Sequence, residues 1–118
     1  NLYIIVNDKG EVLLEKRPPK GVWAGLWSFP ENENILSKLK LSKKKNWEKF
    51  KHTFSHYHLY IQPKEFLTVS GYDNLNMERL LWYNVFSPED IGLSAPIKKI
   101  LNELKVAQYK ITGEINEA

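Results

Sequence analysis

The sequence predicts an α+β domain, a sheet of short strands with helices packed on it. Two observations carry this. β-rich runs punctuated by glycine and proline fill most of the chain. Near the C-terminus, apolar residues instead recur at helical spacing. A length of 118 residues suits one domain with a modest core, and 42% hydrophobic and 13% aromatic content is enough to pack it.

The first element is a hairpin. Leu2 to Val6 and Glu11 to Lys16 are β-rich, and "NDKG" between them supplies turn formers, with Gly10 able to take a positive φ. Pro18 and Pro19 lack the N–H a ladder needs and end the second strand. Leu26 to Phe29 reads as a third strand stopped by Pro30, with Trp23 and Trp27 as core or rim packing. Ile35, Leu36, Leu39 and Leu41 fit a short helix capped by Asn32 or Asn34. A lysine-rich link follows. Trp47 to Thr53 is strand-like, and Tyr57 to Leu67 is a second extended stretch in which Pro63 implies an edge or a bulge. "VSGYDNLN" reads as loop and "RLLWYNVF" as a strand. After "SPEDIGLSAP", Ser94 can cap a helix starting near Ala95 and Pro96. Ile97, Ile100, Leu101 and Leu104 form its apolar stripe. The pattern fades after Val106, which sets a domain over 1–107 and a flexible tail over 108–118.

Composition narrows the function classes. No apolar run approaches the roughly 20 residues of a membrane span. Cysteine is absent, which removes disulfides and thiolate-bound metal clusters from this stretch. The chain opens at Asn1 and runs directly into "LYIIV", as a domain cut from a longer protein would. Net charge is +3, with seven lysines between Lys38 and Lys51. Such a run is either a solvated face or a phosphate contact.

All three histidines fall within "HTFSHYHLY", residues 52–60. A metal set, a base, a nucleic-acid contact and an ordinary strand would each suit it. The metal set would use His52, His56 and His58, but the stretch offers no carboxylate or cysteine beside them.

Three stretches decide among these: "VLLEKRPPKGVWAGLWSFPE", "HTFSHYHLYI" and "WYNVFSPEDIGLSAPIKKIL". In this order they resemble the C-terminal domain of MutY-type A/G-specific adenine DNA glycosylases. The resemblance implies a Nudix (MutT-like) fold, a mixed curved sheet with two or so packed helices. It implies an upstream glycosylase domain carrying the catalytic acids and a four-iron four-sulfur cluster. It also implies a bacterial, cytoplasmic, nucleoid-associated protein acting as a monomer, with no cofactor in this stretch.

Nudix hydrolases use a box of the form G-x5-E-x7-R-E-x-x-E-E, because magnesium or manganese on a pyrophosphate needs a cluster of carboxylates. Gly25 and Glu31 have the opening spacing. The next positions hold Leu39 and Lys40, and the closing pair is Lys43 and Lys44. A register starting at Asn32 puts Lys38 at the first glutamate and Phe50 and Lys51 at the closing pair. Both fail, so no metal hydrolase centre is expected.

Glycosylases of this family remove adenine mispaired with 8-oxoguanine. Oxidation gives that base a new acceptor at O8 and turns N7 from acceptor to donor. A serine hydroxyl can accept from N7–H, an aromatic ring can wedge between base steps, and a histidine can donate to a phosphate. The resemblance assigns these roles to Ser55, Phe54 and His56, with Thr53 and Tyr57 in support and His52 and His58 structural. The implied partners are duplex DNA containing 8-oxoguanine:adenine and the upstream domain of the same chain. Lys16, Arg17, Lys20 and Lys43 to Lys45 are unranked candidates for phosphate contact. Two other functions stay open: a stand-alone Nudix-type hydrolase of oxidised nucleotides, and a protein-interaction module using the basic link.

Overall fold

A computed structural model describes residues 1–70 and 75–117. Its centre is β1, Leu2–Val6, buried along its whole length. That run is continuously apolar because both faces of the strand are covered. Asn7 turns the chain into β2, Val12–Lys16. Its side-chain oxygen accepts from the N–H groups of Lys9 (3.0 Å) and Glu11 (2.9 Å), and Gly10 takes φ 79°.

The main sheet is mixed. Its order is β3 (Trp27–Ser28), β2, β1, β7 (Pro63–Ser70), β4 (Lys40–Asn46), with β8 (Leu80–Tyr83) also pairing β2. β1 and β7 run parallel from Leu2 opposite Pro63 to Val6 opposite Leu67, and the other pairings are antiparallel. β5 (Phe50–Thr53) and β6 (His58–Ile61) form a separate antiparallel hairpin.

The C-terminal helix α1, Ala95–Glu117, covers one face of the sheet. Ile97, Ile100, Leu101 and Leu104 pack there with Leu2, Ile4, Val6, Leu14 and Phe29. The other face carries a smaller cluster of Ile5, Leu13, Ile35, Leu39 and Leu75. Ile35 comes from a 3-10 segment, Glu33–Lys38, and Asn32 is its cap.

Several expectations change. The lysine-rich link is β4, an edge strand of the main sheet that pairs with β7 alone among the described residues. Lysines suit an edge because they discourage further strand pairing. The stretch from Tyr57 to Leu67 is two strands in two sheets, divided at Gln62. Pro63 is on neither an edge nor a bulge. It is the first residue of the interior strand β7, where the missing N–H is tolerated. The described residues hold one α-helix, not two or so, with 3-10 segments at Glu33–Lys38 and Met77–Arg79. The loop expected over 69–76 begins after β7, and its residues 71–74 lie outside the described ones.

Ser94 occupies the cap position of α1, and its carbonyl accepts from the Lys98 N–H (3.0 Å). Its hydroxyl is buried without a hydrogen-bond partner among the described residues, so it does not cap through the side chain. The break in apolar pattern after residue 107 is not a break in secondary structure. Helical backbone continues to Glu117, and Gln108 Nε2 donates to the Gly10 carbonyl (3.1 Å), tying α1 to the first turn.

Core position and exposure on α1 set a stability contrast. Ile100 is 1% exposed and Val106 is 45% exposed. Ile100→Ala is expected to cost about 2–5 kcal/mol in urea unfolding, and Val106→Ala no more than about 0.5 kcal/mol. Equal losses would mean that α1 does not pack through this stripe.

Candidate nucleic-acid interface

Strands β5 and β6 pair Phe50 with Ile61, Lys51 with Tyr60, His52 with Leu59 and Thr53 with His58. The Phe54 N–H donates to the Tyr57 carbonyl (2.8 Å), which leaves Ser55 and His56 as the two-residue tip. Both are exposed, as are Thr53 and Tyr57. Phe54 is half-buried. The hairpin therefore presents Phe54, Ser55 and His56 together at its end, with Thr53 and Tyr57 flanking them.

Alternation along the strands gives the hairpin two faces. Phe50, His52, Leu59 and Ile61 turn inward, and Phe54 continues that side. Phe50, Leu59 and Ile61 join the core under α1, and Lys99 Nζ sits 4.6 Å from the centre of the Phe50 ring. At the tip end a different element takes over. Trp23 lies against His52 (5.4 Å between ring centres) and Phe54 (5.2 Å). His52 meets Phe54 edge-on at 4.7 Å, and Tyr57 stacks on Phe54 at 4.6 Å and 22°. Four rings thus fix the tip from behind and from the side.

Trp23 is the site residue that sequence reasoning missed. "GVWAG" signals a tight loop, but nothing in it says where the ring lands. Its backbone has φ 55°, the positive-φ residue that is not glycine among the described residues, between Gly21 (φ 90°) and Gly25 (φ 71°). Arg17 holds this loop. Its Nε donates to the Val22 carbonyl (3.1 Å), its backbone N–H to the Leu26 carbonyl (2.8 Å), and its guanidinium pairs with Glu31. Arg79 clamps the loop's root by donating to the carbonyls of Lys16 and Arg17, each at 2.9 Å.

The histidines do not converge. His52 faces the rings, while His58 lies on the opposite face with its Nδ1 3.1 Å from Thr53 Oγ1. No group of three or more His, Asp or Glu side chains suited to a metal occurs among the described residues. A Nudix metal centre does not fit the residues present. Glu31 is held by Arg17, and the segment that would continue the box is β4, bearing lysines. Of the cations singled out by sequence, Arg17 is engaged internally, Lys16 and Lys20 are exposed, and Lys45 lies over the Trp47 ring at 5.3 Å. A cavity of about 520 Å³ lies elsewhere, between Trp47, Phe50, Glu65 and α1.

Comparison with known proteins gives a consistent result. A family described as "NUDIX domain" matches residues 1–103. The adenine DNA glycosylase of Buchnera aphidicola subsp. Baizongia pistaciae is 34% identical over 113 residues, covering 87% of this chain and 32% of that protein. Those of the Acyrthosiphon pisum and Schizaphis graminum subspecies are 31% and 28% identical, again over 87% of this chain and 32% and 33% of theirs. The chain spans about a third of the length of these curated relatives. The crystal structure of a Nudix hydrolase from M. smegmatis, RenU, superposes with a TM-score of 0.57 at 15% identity, over 93% of this chain and 83% of that one. That likeness concerns the fold alone.

Two outcomes test the ring cluster and its loop. In a double-mutant cycle with Trp23→Ala and Phe54→Ala, unfolding free energies should reveal a coupling of about 0.5–1.5 kcal/mol; strictly additive losses would mean the rings do not support each other. Beside the loop, burial pushes Glu15 above the ordinary carboxylate range, and Glu31 adds to the shift against Arg79 and Arg17. A raised folded-state pKa favours folding at acid pH, and that contribution is lost as pH rises through it. Glu15→Gln should therefore raise the melting temperature at about pH 7 and lose that advantage at about pH 4. The same gain at both pH values would exclude ionisation as its cause.

Proposed function

The chain belongs to the NUDIX domain family, and from that premise we propose that it is the lesion-reading domain of an adenine DNA glycosylase acting on adenine opposite 8-oxoguanine, and that this domain performs no chemistry itself. The observation that carries the proposal is the exposure of Ser55 and His56 at one hairpin tip, beside a half-buried Phe54 held in a ring cluster. The relatives' name, adenine DNA glycosylase, supplies the reaction class. Removal of adenine is assigned to the remainder of such a protein, together with the catalytic acids and the four-iron cluster. The lysines and the paired Glu31 at the box positions argue against pyrophosphate hydrolysis.

At the tip, Ser55 Oγ accepts from N7–H of 8-oxoguanine. Guanine has no hydrogen there and only accepts, so a hydroxyl whose own proton is committed to another acceptor discriminates by one hydrogen bond. A single base contact of this kind gives about 1–3 kcal/mol of discrimination. Phe54 enters the base stack with Tyr57 stacked beside it and Trp23 behind, which lowers the cost of holding a ring in one pose. His56, the other tip residue, donates to a phosphate and sets the register. The protein acts in the bacterial cytoplasm on nucleoid DNA, as a monomer.

In the full-length protein, Phe54→Ala with Ser55→Ala should reduce the preference for 8-oxoguanine:adenine over guanine:adenine by about tenfold or more. Single-turnover adenine release from the two duplexes measures it. Unchanged kinetics on both substrates would remove the lesion-reading role from this hairpin.

A further inference from the structure

Apart from Thr53, which flanks the tip, the outward face of the β5–β6 hairpin has no role in the site described so far. It consists of Lys51, Thr53, His58 and Tyr60, all exposed, and Tyr60 is 63% exposed. The register puts them in two rungs: Lys51 opposite Tyr60, and Thr53 opposite His58. Partners within a rung lie about 5 Å apart, and the two rungs about 7 Å apart along the strands. We propose that this face is a phosphodiester track, on which the backbone of a duplex lies while the tip meets a base. The proposal rests on the partner being DNA, as above, but not on the tip reading a lesion.

The chemistry is that of a phosphate surface. Lys51 offers three donors and no acceptor, and the Tyr60 hydroxyl offers one. Thr53 Oγ1 and His58 Nδ1 are 3.1 Å apart, and in the tautomer where the hydroxyl donates to Nδ1 the histidine proton sits on Nε2, the nitrogen with no partner among the described residues. In that tautomer each rung ends in an outward N–H or O–H. From Lys49 to Lys64 the chain has three lysines, three histidines and no carboxylate, so nothing within the hairpin repels an anion. A protein partner fits less well. Protein interfaces are depleted of lysine at their cores, whereas lysine, threonine and tyrosine are common phosphate contacts. The track also leads straight into Ser55 and His56, so a strand laid on it approaches the tip in a fixed register.

The test uses the full-length protein and a duplex carrying a non-hydrolysable adenosine analogue opposite 8-oxoguanine or guanine, with affinity measured over a salt series. Lys51→Ala should flatten the plot of log affinity against log salt by about 0.9. It should weaken both duplexes by the same factor, and Lys51→Arg should restore the slope. Tyr60→Phe should weaken both duplexes equally with the slope unchanged. A parental slope in Lys51→Ala, or weakening confined to the 8-oxoguanine duplex, would overturn the track. So would a parental slope with a lowered melting temperature, the result expected if another protein surface covers this face. A flattened slope in Lys51→Ala would keep the track even where Phe54→Ala with Ser55→Ala leaves discrimination intact.

Discussion

The site depends on one contact, the Trp23 ring against Phe54 and His52 at 5.2 and 5.4 Å. A two-stranded hairpin is marginal in water unless something packs against it. Here α1 covers the Phe50 end of its inner face, and Trp23 covers the tip end. Without Trp23, Phe54 would keep only the His52 and Tyr57 rings of its own hairpin among the described ring contacts. Ser55 and His56 are exposed, so the rigidity of the tip has to come from the ring cluster on its inner side.

That support carries strain. A left-handed backbone for a residue other than glycine costs about 1–2 kcal/mol. Two aromatic contacts at about 0.5–1.5 kcal/mol each are of the same size. The margin is supplied by Arg17, whose Nε–H reaches the Val22 carbonyl and whose guanidinium is fixed by Glu31. Glu31 stands at the spacing where a Nudix box would begin. In this chain it neutralises a loop-building arginine, and the later box positions lie on or beside a lysine-bearing edge strand. The position where a Nudix box would open and the anchor of the Trp23 loop are therefore the same residue.

Much of this was legible in the chain. The first hairpin, the Asn32 cap, the α1 stripe and the bend at Phe54-Ser55-His56 follow from local rules: turn formers, side-chain capping and periodicity each act within a few residues. Lys40 to Asn46 misled because lysine is a poor signal for a strand, and its edge position is set by pairing with β7, 18 to 30 residues further along the chain. Pro63 misled for a related reason. Proline is excluded from the middle of a ladder but not from the first position of an interior strand, and only the register against Leu2 reveals which applies.

By itself, then, the sequence determined the elements whose causes are local, the family, the missing carboxylates and the three residues at the tip. Tertiary structure alone decided that Trp23 backs Phe54, that the histidines part to opposite faces, and that Lys51, His58 and Tyr60 share an uncovered one. The reason is range. Capping and periodicity are written within one or two turns of chain, whereas the meeting of residues 23 and 54 depends on how two separate sheets pack, and no short stretch of sequence encodes that.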